Sequence, residues 1–131
     1  MAKILVDTSG IYALIDGKDQ NHQRAVAALR SLSKKGLEPI LTNFIVAETH
    51  ALLLSRLGPA TSREWLLTQV WPIEPVTLQD EQRAREIIRK YTDKTFSYTD
   101  ASSFTLMERM GITAAFGFDP HFEQYGFDLV K

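Results

Sequence analysis

Short apolar runs alternate along this chain with longer stretches in which apolar and polar residues follow a helical period. The apolar runs predict five strands, at residues 4–6, 39–42, 73–76, 112–116 and 127–130. The helical periods predict helices at about residues 11–15, 22–35, 43–57, 61–70, 77–91, 97–110 and 120–124. Because strands that alternate with helices form parallel sheets covered on both faces, we predict an α/β fold.

Capping residues and prolines indicate where several of these elements begin or lie. Asn43 is the predicted N-cap of the helix 43–57, and the capping-box pattern of Thr61 and Glu64 predicts the start of the next helix. Pro75 has no amide hydrogen to donate, so the strand 73–76 is expected at an edge of the sheet.

The composition is that of one globular domain, residues 1–131. Hydrophobic residues make up 44% and charged residues 24% of the chain, which excludes a disordered or fibrous protein. The absence of cysteine excludes disulfides, thiolate catalysis and zinc–thiolate sites. No apolar run approaches the roughly 20 residues that span a bilayer, and the N-terminus lacks a signal peptide's apolar stretch. We therefore expect a cytoplasmic protein without a membrane partner.

Four acidic residues lie at or just beyond predicted strand ends, or in the first turns of helices: Asp7, Glu48, Asp100 and Asp119. In parallel sheets, ligands bind outside the carboxyl ends of the strands. Each acid also has a purely structural interpretation. Asp7 and Asp119 can cap helices, Asp100 can complete a capping box with Ser97, and Glu48 can be a solvated helix residue.

Taken together, the acids predict a metal site. If the first and fourth strands are neighbours, Asp7 and Asp119 lie roughly 5–10 Å apart, given a strand spacing of ~4.8 Å. Two carboxylates about 5 Å apart repel by about 3 kcal/mol at an effective dielectric near 20. Such a cluster needs protons or a hard cation, and oxygen ligands favour Mg²⁺ or Mn²⁺. A cation held in this way can activate water against a phosphodiester.

The chain resembles the PIN-domain nucleases, and most closely the toxin ribonucleases of VapBC toxin–antitoxin pairs. Four motifs carry the resemblance in the family's order and spacing: VDTS at 6–9, TNFIVAE at 42–48, FSYTDA at 96–101 and FDPHF at 118–122. The resemblance implies a three-layer α/β/α sandwich with a mainly parallel sheet in the order 3-2-1-4-5. It also implies that the four acids bind Mg²⁺ or Mn²⁺, with the hydroxyls of Thr8 and Ser9 supporting the site.

The function implied by this resemblance is cleavage of RNA by a metal-activated water, in the toxin of a type II toxin–antitoxin pair. RNA is then the substrate, a cognate antitoxin the partner, and a homodimer the expected assembly. A stand-alone PIN nuclease that processes RNA is the alternative. An aspartate-nucleophile phosphatase is disfavoured because Ser9 stands where that family needs a second aspartate. A receiver-type signalling domain is disfavoured because residues 75–77 contain no phospho-acceptor aspartate.

Several other polar residues fit both a structural role and a role near the metal site. Asn43 is either only a helix cap or also a contact to the metal through water. Asp93 and Lys94 are either a solvated pair or an acid behind the metal ligands with a lysine that faces phosphate. His22, His50 and His121 are scattered, which argues against zinc and favours surface or capping roles.

The net charge of −1 gives no overall attraction to polyanions, so RNA binding must depend on bound cations or on a local patch. The densest basic stretch, residues 83–90, is interpreted as a solvated helix face, because Glu81 and Arg85 have the spacing of an i, i+4 ion pair. No interleaving of basic and aromatic residues marks a stacking platform for nucleic acid.

The helix 43–57 is apolar on nearly all sides, and the next helix adds Trp65, Leu66, Leu67 and Val70. A helix of this kind must be covered on more than one side. The two helices either pack against each other or form an interface with a second subunit or an antitoxin.

Overall fold

The computed structural model describes residues 2–131, which form five strands and seven helices. The strands are β1 (Lys3–Val6), β2 (Glu38–Thr42), β3 (Ile73–Glu74), β4 (Ala114–Phe116) and β5 (Asp128–Val130). The helices are α1 (Thr8–Ile15), α2 (His22–Lys34), α3 (Asn43–Leu57), α4 (Pro59–Thr68), α5 (Leu78–Lys90), α6 (Tyr98–Met110) and α7 (His121–Tyr125).

The strands form one parallel sheet in the order β3-β2-β1-β4-β5, which confirms the predicted order. The central strand β1 pairs on both sides, with Leu5 opposite Ile40 of β2 and Ala115 of β4. Since crossovers between parallel strands are right-handed, this strand order places α1 to α4 on one face of the sheet and α5 to α7 on the other. The result is the expected three-layer α/β/α sandwich. β3 lies at an edge, as Pro75 predicts, although the strand ends one residue before that proline.

An aromatic cluster fixes α6 and α7 against each other below the carboxyl ends of β1 and β4. Phe104 of α6 packs edge-on against Phe96 and Phe122, with ring centroids 5.1 and 5.2 Å away, and stacks on Tyr125 at 4.5 Å. Phe104 and Phe122 are fully buried. Because such rings leave little freedom, the segments that carry them are held rigidly relative to the sheet.

Three predicted helix starts are wrong. The helix expected at 11–15 begins at Thr8, because Asp7 already caps it there. The N-cap of α3 is Thr42, whose Oγ1 accepts a hydrogen bond from the Ile45 N–H at 3.0 Å. Asn43 is the first helical residue, and its Oδ1 accepts from the Val76 N–H at 2.9 Å. α4 begins at Pro59 and not at residue 61, because a proline is already set for the first helical position and has no amide to leave unpaired.

The packing of α3 against α4 leaves much of their apolar surface uncovered. Leu53 faces the core, whereas Leu54 is 45% exposed. In and after α4, Leu67 is 74% and Val70 87% exposed. Within residues 2–131, no helix combines the length and the apolar character needed to cross a membrane.

Candidate active site

The four predicted acids meet at the carboxyl edge of the sheet. Asp7 directly follows β1, and Asp119 follows β4 by three residues. α3, which begins where β2 ends, carries Glu48, and the first turn of α6 carries Asp100. A cavity of about 390 Å³ opens at this edge and is lined by Asp7, Glu48 and Asp119. Its wall also includes Arg56, whose guanidinium lies 5.1 Å over the ring of Tyr12.

Asp7 is held by the backbone on both sides of it. Its N–H donates to the carbonyl of Phe116 at 2.9 Å, which extends the pairing of β1 with β4 by one residue. Its Oδ2 accepts from the N–H of Ser9 at 3.2 Å and from the Ser9 hydroxyl at 2.6 Å, so Asp7 is also the N-cap of α1. The capping and site interpretations of Asp7 are therefore compatible.

Burial raises the pKa of Asp7 to about 7, from its usual 3.8. The hydrogen bonds from Ser9 oppose this rise, and the negative charges of Asp119 and Asp100 add to it. The side chain is only 4% exposed, so water screens its charge poorly. A cation at this position would favour the charged form that burial disfavours.

Ser9 and Gly117 tie the ends of β1 and β4 together at this point. The Ser9 Oγ accepts from the Phe118 N–H at 2.8 Å while its hydroxyl donates to Asp7. A Cβ on Gly117 would lie 2.8 Å from the Ser9 Oγ and 3.0 Å from the Asp7 Cβ. Any side chain at residue 117 would therefore displace the group that orients Asp7. Thr8, the other predicted supporting hydroxyl, is buried and accepts from Thr49 at 3.2 Å.

Asp100 is part of the predicted capping box and also faces the other acids. Its Oδ2 accepts from the Ser97 N–H at 3.0 Å, and its own N–H donates to the Ser97 Oγ at 3.0 Å. The same Oδ2 lies 2.7 Å from Nδ1 of His121. The capping box sets the direction of the carboxylate, and the histidine holds it from the other side.

His121 belongs to this site, contrary to the surface or capping role that the sequence favours. Its Nδ1 is 2.7 Å from Asp100 and 3.3 Å from the Oδ1 of Asp119, and its backbone N–H donates to that Oδ1 at 2.9 Å. Because ionised carboxylates only accept, Nδ1 donates in this arrangement and would have to give up that hydrogen to bind an ion. Nε2 lies 3.1 Å from the Thr95 hydroxyl. The Asp-Pro-His order is a usable sequence signal, since an aspartate at a helix start bonds the N–H two residues on.

Asp100, Asp119 and His121 offer ligand atoms that all lie within 4.8 Å of one another. Burial raises the pKa of Glu48, and the charges of Asp100 and Asp119 raise it further, whereas the hydroxyls of Thr8 and Thr99 oppose the rise. Among residues 2–131, no lysine or arginine nitrogen lies within 4.0 Å of any of the four acids. A donor set dominated by carboxylate oxygens and without a cationic partner fits a hard divalent ion.

The remaining predicted residues lie apart from this cluster. The Asn43 side chain is bound to the Val76 N–H beyond β3, so the geometry gives it no contact to the acids. Asp93 and Lys94 pair with each other at 3.4 Å, and Asp93 is well exposed, as the solvated-pair interpretation expects. The Nδ1 of His22 donates to the Ala13 carbonyl at 2.8 Å and joins α2 to α1.

Comparison with known proteins settles the family. The family model for the PIN domain matches residues 4–128. The chain belongs to the PIN-domain family. It is 32% identical to the 23S rRNA-specific endonuclease VapC20 of Mycobacterium tuberculosis, over 131 residues that cover 98% of each chain. It is 27% identical to ribonuclease VapC26 of the same organism, over 110 residues that cover 81% of this chain and 78% of that one.

Two solved structures agree with the fold. The crystal structure of M. tuberculosis VapC20, described as a toxin that cleaves the sarcin–ricin loop, matches with a TM-score of 0.85 and 31% identity over 95% of both chains. The crystal structure of FitAcB from Neisseria gonorrhoeae matches with a TM-score of 0.71 at 18% identity, covering 98% of this chain and 96% of that one, and supports the fold alone. The identification of a PIN-domain protein similar to toxin endonucleases, made from the four sequence motifs, is therefore confirmed.

Proposed function

We propose that this PIN-domain protein is a divalent-cation-dependent endoribonuclease and the toxin of a type II toxin–antitoxin pair. The observation that supports this most directly is the convergence of Asp7, Glu48, Asp100 and Asp119 at one edge of the sheet without a lysine or arginine partner. Such an arrangement lowers the stability of the fold unless a cation compensates the negative charges. Destabilising arrangements of this kind cluster at functional sites.

In this proposal the four acids hold Mg²⁺ or Mn²⁺. The bound cation would activate water and neutralise charge on the scissile phosphodiester. The chain's own groups set the geometry. Ser9 orients Asp7 through two hydrogen bonds, while His121 bridges the carboxylates of Asp100 and Asp119. Because these partners are fixed by packing, the carboxylates need little reorganisation before the reaction.

The substrate that we propose for the first test is 23S ribosomal RNA. The relative VapC20 is named as an endonuclease specific for 23S rRNA and as a toxin that cleaves the sarcin–ricin loop. Its likeness to this chain extends over nearly the full length of both proteins, so it includes the surface around the acids. Ribosomal RNA is in the cytoplasm, where we accordingly expect the protein to act.

The decisive experiment is cleavage of purified ribosomal RNA, and of a hairpin that carries the sarcin–ricin loop, with Mg²⁺, Mn²⁺ or EDTA. We expect one discrete cut, mapped by primer extension, that requires the cation and disappears in Asp119→Asn. Cleavage that persists in EDTA would contradict the metal-dependent mechanism. Many cuts without preference would contradict the ribosomal target but not the nuclease activity.

An antitoxin partner can be tested in cells. We expect expression of this chain to arrest growth, and co-expression of the adjacent reading frame to relieve the arrest and yield a co-purifying complex. Normal growth on expression of a cleavage-competent protein would instead favour the stand-alone RNA-processing nuclease.

The exposed apolar residues in and directly after α4 support a homodimer. Leu66, Leu67, Val70 and Ile73 are all at least 40% exposed and follow one another closely along the chain. Exposed apolar residues that form one patch mark interfaces between proteins. Light scattering at micromolar concentration should give twice the mass of the 14.8 kDa chain, and Leu67→Lys should reduce it to one chain. A wild type that stays at the mass of one chain would contradict the dimer.

A further inference from the structure

An open groove of about 590 Å³ lies beside the acids, where α5 meets the start of α6. It is lined by Arg85, Ile88, Arg89, Phe96 and Tyr98, which we call the α5–α6 groove. Two arginines and two aromatic rings that are separated along the chain come together here. The sequence shows no interleaving of basic and aromatic residues here because only the packing of α5 on α6 brings these side chains together.

The two arginines of the groove lack acidic partners within the described part of the chain. Arg85 and Arg89 are one helical turn apart and exposed, and no carboxylate oxygen of residues 2–131 lies within 4.0 Å of either guanidinium. By contrast, the neighbouring Arg83 pairs with Glu108 at 3.6 Å. The predicted pair of Glu81 with Arg85 does not form within 4.0 Å, and Glu81 instead accepts from the Tyr98 hydroxyl at 2.8 Å.

Tyr98 presents a fixed and partly exposed ring to the groove. Phe44 packs against it with a centroid distance of 5.8 Å, and the hydrogen bond to Glu81 holds its hydroxyl. The residue remains 38% exposed. A ring held in this way loses little freedom when a nucleobase stacks on it, and stacking accepts any base.

The groove lies next to the acidic cluster. Phe96, which lines the groove and is buried, packs edge-on against the ring of His121 with centroids 5.4 Å apart. His121 in turn contacts Asp100 and Asp119. A strand with one phosphate at the acids can therefore place neighbouring nucleotides at the groove.

We propose that the α5–α6 groove binds single-stranded RNA next to the cleavage site, with Arg85 and Arg89 contacting phosphates and Tyr98 stacking on an unpaired base. The proposal rests on the proposed nuclease function and adds where and in what form the substrate is held. A stacked base must be turned out of its helix, so the groove selects loops and single strands over duplex. The arginines also supply the local positive charge that the net charge of −1 does not.

Binding of a fluorescein-labelled, mixed-sequence 12-nucleotide RNA, followed by anisotropy with Ca²⁺ present and RNA integrity checked on a gel, tests the arginines. We expect the double variant Arg85→Gln and Arg89→Gln to bind at least about fivefold more weakly. Its log–log salt slope should be shallower by about 1.4, since each phosphate contact on a single strand contributes about 0.7. Equal affinity and slope in this variant would overturn the proposal.

The matched control is the double variant Lys34→Gln and Lys35→Gln. It removes the same charge at the end of α2, directly before β2, and thus at the opposite edge of the sheet from the acids. We expect it to bind RNA like the wild type. A loss as large as that of the arginine variant would show that overall charge, and not the groove, holds the RNA.

Tyr98 separates RNA from other polyanions. Tyr98→Leu should weaken RNA binding by about fivefold or more, whereas Tyr98→Phe keeps the ring and should bind like the wild type. Polyglutamate that competes as well as RNA, with no dependence on residue 98, would assign the groove to an acidic protein segment and overturn the proposal. These binding results stand apart from catalysis: RNA that binds as expected but is never cut would contradict the nuclease and not the groove.

Discussion

Asp7 and Asp80 are both buried acids at the start of a helix, but their pKa values are shifted in opposite directions. Both accept a backbone hydrogen bond there, Asp7 from the Ser9 N–H and Asp80 from the Thr77 N–H, and they are only 4% and 2% exposed. Burial raises the pKa of Asp7 to about 7. Burial also acts upward on Asp80, but hydrogen bonds from Arg109 and Thr77 and the charge of Arg109 lower its pKa below the usual value.

The difference lies in the partner and not in the burial. Arg109 donates to both oxygens of Asp80, at 3.1 and 3.0 Å, so this charge is compensated and joins α5 to α6. Asp7 has hydroxyl, amide and carboxylate neighbours but no basic side chain. A buried acid with its own arginine serves folding, whereas one left without a cation is available to bind an ion.

Catalysis should separate the two residues most strongly. Asp7→Asn keeps the side-chain volume and removes a charged ligand, so RNA cleavage should fall by about a hundredfold or more. Asp80→Asn should leave the cleavage rate per folded molecule within about twofold. Both rates are measured on a labelled RNA hairpin with Mn²⁺ in excess. Equal losses of RNA cleavage in the two variants would contradict a catalytic role that Asp7 has and Asp80 lacks.

Stability should respond most to Asp80. Asp80→Asn leaves Arg109 without its bidentate partner, and we expect the free energy of unfolding to fall by about 2–3 kcal/mol, less than for a fully buried pair because Arg109 is about a third exposed. Since the pKa of Asp80 is lowered in the fold, its stabilisation is present above pH ~4 and disappears as the pH falls through the folded-state pKa. Urea unfolding at pH 7 and at pH 3 checks both points. A variant as stable as the wild type at pH 7 would contradict them.

In the metal-free protein, Asp7→Asn should change the free energy of unfolding in the direction opposite to Asp80→Asn. The raised pKa of Asp7 means that the fold binds the proton more tightly than the unfolded chain, so this group costs stability as the pH rises from about 4 to 7. In EDTA at pH 8, Asp7→Asn should therefore be more stable than the wild type, by on the order of 2 kcal/mol. At pH 4 the gain should vanish. Asp7→Asn that unfolds more easily at pH 8 would indicate that capping by the carboxylate outweighs its burial.

The smallest expected effect is stabilisation by the cation itself. Mg²⁺ at ten times its Kd should raise the free energy of unfolding of the wild type by about 1.4 kcal/mol. Asp80→Asn should keep this increment, and Asp7→Asn should lose most of it. Thermal melts with and without Mg²⁺ measure it, with NaCl at matched ionic strength as the control. An identical response in all three proteins would mean that the ion binds elsewhere.

The sequence by itself determined the features that depend on neighbours along the chain. The apolar run at 4–6 predicts the buried central strand, Pro75 the edge of the sheet, and Ser97 with Asp100 the capping box that the structure contains. The four motifs, in their order, predicted the family and its sheet order. The apolar run, the proline and the capping box depend on residues that are close together in the sequence. The four motifs are recognised from the sequence of the family. Neither kind of signal requires knowledge of the packing.

Only the tertiary structure decided which side chains become partners across the chain. Asp80 meets Arg109 from 29 residues away, and Asp100 meets His121 from 21 residues away. Arg85 and Tyr98 come to one groove only because α5 packs on α6. The composition and the hydrophobic periodicity of a sequence do not show whether an acidic side chain has a basic partner in the fold. The free energy that separates a paired from an unpaired acid arises from charge, burial and distance in the folded state, which the packing of the helices on the sheet creates.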